Sequence, residues 1–196
     1  MSPSFQNFIE YLTQFHDVSD QLTDYLQASV REIVYPKNHT ILQAGKYPEE
    51  LNYIVSGCAR AYRYDELTAQ ELTIWFYNST QLILPLSGPD ALSKWFITME
   101  RKTTVISISH IHLKYLHVLF PEYHFINRGY LELMISRLSE HLDLVQHQKY
   151  AEGYLQTMRD NPGVFQSGTL RNIASFLGMS ESTLKHIKYK GSANGF

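Results

Sequence analysis

Apolar positions in the first part of the chain recur at helical spacing. Phe8, Leu12 and Phe15 form one set and Leu22, Tyr25 and Leu26 a second, with Ser19 placed to cap it. The period then changes. Residues 33–35, 40–42, 51–55, 59–64 and 72–76 are short β-rich runs, separated by the turn-forming stretches Pro36-Lys37-Asn38, Ala44-Gly45-Lys46, Ser56-Gly57 and Asp65-Glu66. Further strands are expected at 81–84, 95–99 and 103–109. Short strands at regular intervals predict a small antiparallel roll or sandwich. From His110 the helical period returns: a short helix over 111–119, stopped by Pro121, then a long one from 122 to about 148 with no Pro and a single Gly. Residues 150–160 read as another helix ended by Asn161-Pro162-Gly163, followed by a loop over 165–168.

Within the long helix, Leu131, Ile135, Leu138, Leu142 and Val145 are spaced 4, 3, 4 and 3, a heptad seam of the kind that pairs helices. Tyr130, Leu133, Met134, His141 and Leu144 make a second stripe beside it. One stripe can pack on the chain's own β-layer and the other on a second copy. The same pattern would also serve a fully buried helix in a monomer.

The 20 residues from Leu170 to Tyr189, LRNIASFLGMSESTLKHIKY, have the spacing of a helix-turn-helix. Ile173, Ala174 and Leu177 share one face of a first helix, and Ala174 is small where the helices would cross. Gly178 sits in the turn, where a left-handed backbone is cheap without a Cβ. Ser180 is a natural cap for the second helix, and Leu184 and Ile187 mark its inner face. Arg171, Ser180, Glu181, Ser182, Thr183, Lys185, His186 and Lys188 are the polar residues available to base edges and phosphates. A plain helical hairpin would share the apolar spacing; the polar outer face favours DNA.

Composition adjusts this picture modestly. The chain has 196 residues, 44% hydrophobic and 18% charged, which is globular and neither disordered nor repetitive. Net charge is −2, so there is no overall basic field, yet from Gln166 onward four Lys or Arg face one acid, Glu181. A single cysteine, Cys58, excludes an internal disulfide framework and a four-cysteine iron–sulfur cluster, and fits a reducing compartment. No signal peptide or membrane span is expected, and the protein is read as cytoplasmic. The nine histidines lack partners at metal-ligand spacing, and no hydrolase elbow or Walker loop is present, so no enzyme is expected.

The order helices, β-roll, long helix, helix-turn-helix resembles the bacterial Crp–Fnr transcription regulators over nearly the whole chain. The residues that carry this are Leu42-Gln43-Ala44-Gly45, then Ile54-x-x-Gly57-x-x-Arg60, and Ile173-Ala174-x-x-Leu177-Gly178-Met179-Ser180-x-x-Thr183-Leu184. The resemblance implies an α+β chain: an N-terminal antiparallel β-roll of the cyclic-nucleotide-binding type, a dimerisation helix, and a C-terminal helix-turn-helix domain. The residues after Lys190 are too few and polar for a full β-wing. The expected division is 1–148, sensory roll with the long helix, and 149–196, DNA-binding domain. Expected partners are DNA, a second copy of the chain, RNA polymerase and a small-molecule effector, with no membrane.

Two departures matter. The family's cyclic-nucleotide cassette has Gly-Glu for the ribose and Arg-Ser/Thr for the phosphate. Here Leu82-Ile83 and Ser93-Lys94 fall at those positions, so cyclic nucleotide is not expected as a cofactor. The nearby Ser87-Gly88-Pro89-Asp90 reads as a plain turn. The reading helix carries His186 where relatives often present Arg, and Ser182 where a Glu reads cytosine, so the target sequence does not carry over. Tyr62, Tyr64, Trp75, Lys94 and Trp95 are the candidates for lining an apolar effector pocket in the roll. The alternative function is a ligand- or protein-binding roll whose helix-turn-helix no longer reads DNA.

Overall fold

A computed structural model describes residues 1–83, 91–160 and 162–193. Two helices open the chain, α1 (Pro3–Thr13) and α2 (Asp20–Ser29), capped by Ser2 and Ser19, whose hydroxyls accept from the amides of Phe5 and Leu22. Eight strands follow: β1 (Val30–Tyr35), β2 (Thr40–Leu42), β3 (Glu50–Ser56), β4 (Cys58–Tyr64), β5 (Glu71–Asn78), β6 (Gln81–Ile83), β7 (Phe96–Met99) and β8 (Thr103–Ser109). They form two antiparallel four-stranded sheets, in the orders β1-β8-β3-β6 and β2-β7-β4-β5, which face each other as a roll. The turn Ser87–Asp90 expected from sequence lies outside the described residues.

The hairpin between β3 and β4 turns on Gly57, whose φ of +120° suits only glycine. A Cβ there would also lie 2.6 Å from the Cα of Thr103, so the residue is needed for space as well as for backbone. Three residues on, Arg60 is buried. Its Nε donates to Glu100 at 2.5 Å, its Nη2 to Glu71 at 2.7 Å, and its plane lies 4.1 Å over the Tyr62 ring. A buried guanidinium survives only with such saturation. Cys58 is buried beside this group; burial first, then the Glu100 charge, pushes its thiol up to about 12, so it is not a reactive thiolate.

Helices α3 (His110–Leu119) and α4 (Pro121–Gln146) come next. Pro121 stands at the first position of α4, where its missing N–H costs nothing, so the long helix starts one residue earlier than the pattern suggested. Tyr123, Ile126, Tyr130 and Met134 are its buried face. Tyr130 donates to the Leu82 carbonyl at 2.6 Å and joins Tyr11, Phe15 and Tyr53 in an aromatic cluster that ties α1 and α4 to the roll.

After a left-handed residue at Gln148 come α5 (Tyr150–Asp160), α6 (Pro162–Ser167), α7 (Leu170–Phe176) and α8 (Glu181–Ala193). The loop expected over 165–168 is instead largely the end of α6. Pro162 begins a helix there instead of merely ending one, as proline does at a first turn. Among the described residues no helix is long and apolar enough to cross a membrane.

Candidate nucleic-acid interface

The geometry of α7, the turn and α8 follows from four local choices. Thr169 caps α7, its hydroxyl accepting from the Asn172 amide at 3.1 Å. Ile173, Ala174, Phe176 and Leu177 then go inside. The helix closes with the amide of Met179 on the Ala174 carbonyl (3.0 Å) and that of Gly178 on Ser175 (3.1 Å), Gly178 having φ +65°. That double bond pattern is the Schellman closure, which satisfies the last carbonyls and turns the chain sharply. Ser180 opens α8: its hydroxyl accepts from the Thr183 amide at 3.1 Å and contacts the hydroxyls of Ser182 and Thr183.

In α8, Leu184 is fully buried and Ile187 half-buried against the core. Glu181, Ser182, Lys185, His186, Lys188 and Tyr189 are exposed, and Thr183 is half-buried. Arg171 is exposed on α7. The proposed reading residues are thus brought together on two successive helices, with Ser180 and Thr183 spending hydroxyls on the cap. Thr169 and Tyr189 were missed from sequence. The first carries a plain signal, a Thr before an apolar turn; the second, 78% exposed, is legible only as an outer-face position.

The α7–α8 unit rests on the roll. The Ser175 hydroxyl accepts from the Thr73 amide in β5 at 2.9 Å. Phe176 stacks on His141 of α4 with centroids 4.1 Å apart and planes 9° from parallel, and meets Trp75 and Phe76 edge-on. Burial of the His141 ring lowers its pKa, partly offset by a hydrogen bond with the Phe176 backbone. Arg101 reaches Gln166 of α6 at 3.5 Å and the Gly57 carbonyl at 3.4 Å.

On α4, Leu131, Ile135, Leu138 and Leu142 form an exposed apolar row, 38–62% accessible. Val145, assigned to the same seam from its spacing, is half-buried instead and covers the helix-turn-helix turn: a Cβ on Gly178 would come within 2.8 Å of its Cγ1.

The five effector candidates do not converge. Tyr62 stacks on Phe96 and Tyr64 meets both edge-on, which fills the space between them with their own rings. Arg63 lies over Trp95, Lys94 is exposed, and Trp75 belongs to the contact with His141 and Phe176. At the cassette positions, Leu82 and Ile83 are buried apolar residues of β6. The buried Ser93 hydroxyl is committed to the backbone of Trp95, 2.9 Å from its carbonyl and 3.0 Å from its amide. A cavity of about 700 Å³ in the roll is lined by other residues, among them His39, Lys46, Glu49, Glu50 and Asn52. Asn52, buried with an unpartnered Oδ1, was signalled in the sequence only as one polar residue inside an apolar strand. Among the described residues no three potential metal ligands cluster; His117 and His124 pair with each other, and His112 with the Tyr25 hydroxyl.

No protein-family model matches the sequence, and no curated protein matches it. Solved structures do match in fold. A putative transcriptional regulator of the Crp/Fnr family from Eubacterium rectale aligns with TM-score 0.71 and 12% identity over 95% of this chain and 89% of that one. FixK2 from Bradyrhizobium japonicum gives 0.69 and 16%, over 85% and 86%. The c-di-GMP responsive global regulator CLP of Xanthomonas campestris gives 0.64 and 15%, over 88% and 91%. The architecture is therefore that of Crp/Fnr regulators: antiparallel roll, long helix and C-terminal helical unit.

Proposed function

We propose, from the fold that this chain shares with Crp/Fnr regulators, that it is a homodimeric, sequence-specific DNA-binding transcription regulator not controlled by cyclic nucleotide. The single observation that carries the reading is the capped, Schellman-closed α7–α8 pair, with α8 presenting Lys185, His186 and Lys188 outward. In this reading residues 1–148 sense and 149–196 act, with DNA and RNA polymerase as partners in the cytoplasm. Two α8 helices related by a two-fold axis would enter successive major grooves, with half-sites about 34–36 Å apart.

The exposed row on α4 supports the dimer. Four side chains from each helix, at about 1.5–3 kcal/mol each when fully buried, give roughly 12–24 kcal/mol. They are already about half covered, so about half remains to be gained. That is similar to the ~4–15 kcal/mol cost of association, and a moderate, concentration-dependent dimer is expected.

His186 offers one donor when neutral and no fork, and Ser182 no carboxylate, so base discrimination rests on different contacts from those of relatives with Arg and Glu there. Fluorescence anisotropy on the DNA flanking its own coding region tests the reading. A salt-sensitive, sequence-selective complex is expected, weakened about tenfold or more in the double variant Lys185→Ala with His186→Ala. No selective complex, or no effect of the variant, leaves the rival reading of a binding roll with a silent helix-turn-helix. Calorimetry with cyclic AMP and cyclic GMP should give no micromolar binding; heat from either would overturn that part.

A further inference from the structure

A second cavity, about 360 Å³, lies where the roll meets the C-terminal helices, walled by β5, α4, α5 and α7. We propose that it is a binding site for a small, flat organic anion, whose charge is received by Arg137. Three of the described arginines are not exposed: Arg60, Arg101 and Arg137. Arg60 is saturated by two carboxylates and Arg101 is bonded to Gln166 and Gly57, whereas Arg137 has no ion pair or hydrogen bond among the described residues. Arg137 lines the cavity with no nitrogen both buried and unpartnered, so its guanidinium is still met by water, which an anion can displace. A carboxylate or phosphate oxygen pair matches its fork in geometry and charge. Glu140, the acid in the lining, is not within ion-pair reach of Arg137, and its Oε1 accepts from Ser136 at 3.3 Å. The aromatic side of the cavity is Trp75, His141 and Phe176, a set that suits a planar body. Gln156 and Thr157 of α5 supply polar groups at its edge. The volume is at the small end of the roughly 300–1,000 Å³ range for small-molecule sites, which favours a single ring over a nucleotide.

Because Trp75 belongs to the roll and Phe176 to the first helix of the helix-turn-helix, an occupant touches both at once, and its binding is linked to the pose of α7 on β5. That linkage rests on the DNA-binding reading; the site itself does not.

Titration calorimetry on the full chain with salicylate, and with salicylamide as its neutral counterpart, tests the charge requirement without DNA. Salicylate should bind in the millimolar range or tighter, and salicylamide about tenfold or more weakly. Arg137→Gln should lose salicylate binding by a similar factor while keeping its circular-dichroism melt, and Arg137→Lys should retain part of it. In two-dimensional NMR the Trp75 indole resonance, assigned against Trp95→Phe, should move on titration and that of Trp95 should not. Equal binding of acid and amide, unaltered binding by a folded Arg137→Gln, movement of Trp95 alone, or no salicylate binding at 10 mM would each overturn the site. If Arg137→Gln does not fold, the acid–amide comparison on the unmodified protein decides alone.

Discussion

The guanidinium of Arg60 holds three strands together: its own β4, Glu71 of β5, and Glu100 just beyond β7. Removing the guanidinium strands the buried Glu100 carboxylate, and that penalty is larger than the network's net worth. Arg60→Met is therefore expected to lower unfolding free energy by about 3–5 kcal/mol, read as a shift of the urea midpoint. The exposed Arg31–Glu50 pair is the control, and Arg31→Ala should cost about 1 kcal/mol or less. An Arg60→Met loss no larger than the control would show that the buried network is dispensable. Gly57 and Arg60 stand out in the sequence because a turn glycine and a charge inside an apolar strand break the local pattern. Glu100, 40 residues from Arg60, does not, since no local rule couples positions that meet only across a folded sheet.

Among the elements, α4 divides its two apolar stripes between different surroundings. Tyr130 and Met134 face the roll, while Leu131, Ile135, Leu138 and Leu142 face outward. If the outward row is the subunit seam, Leu138→Glu places two like charges in an apolar contact, and sedimentation should show a monomer with an intact circular-dichroism spectrum. An undiminished dimer mass would remove that row from the interface. Val145 has the spacing of this row but lies half-buried beside Gly178, because a helix near its end can turn a heptad position toward a neighbouring element. Gly178, with no Cβ, leaves the hollow that Val145 occupies. The α6 helix was missed for a related reason: Asn161-Pro162-Gly163 reads as a stop, yet proline also starts helices, and only the packing of Val164 into the core selects between them.

At the scale of the whole molecule, one apolar cluster extends from Phe5 of α1 to Leu184 of α8, so the roll and the C-terminal helices share a core. His141 is built into that joint, and His117 lies on α3 beside His124; loss of water around each ring, and for His117 then the His124 charge, lowers both pKa values. The folded protein resists protonating them, while the unfolded chain takes the protons near pH 6.5. Their contribution to stability is therefore complete above about pH 6.5 and falls away as the pH drops toward the lowered folded values. Urea midpoints should decline between pH 7.5 and 5.5, and His141→Asn should flatten the decline; an equally steep slope in that variant would exclude His141 as its source. The order and kind of elements, the glycine turns, the capped helix-turn-helix and the two stripes of α4 were determined by the sequence itself. Each rests on interactions within a few residues, which spacing displays. The third dimension decided which residues answer Arg60, that Phe176 docks on His141 and Trp75, that the cassette positions Leu82, Ile83 and Ser93 are core or committed to backbone, and that Arg137 lines a cavity with no ion pair among the described residues. Those are contacts between distant segments, and their partners are chosen by how the roll, α4 and the C-terminal helices close on one another.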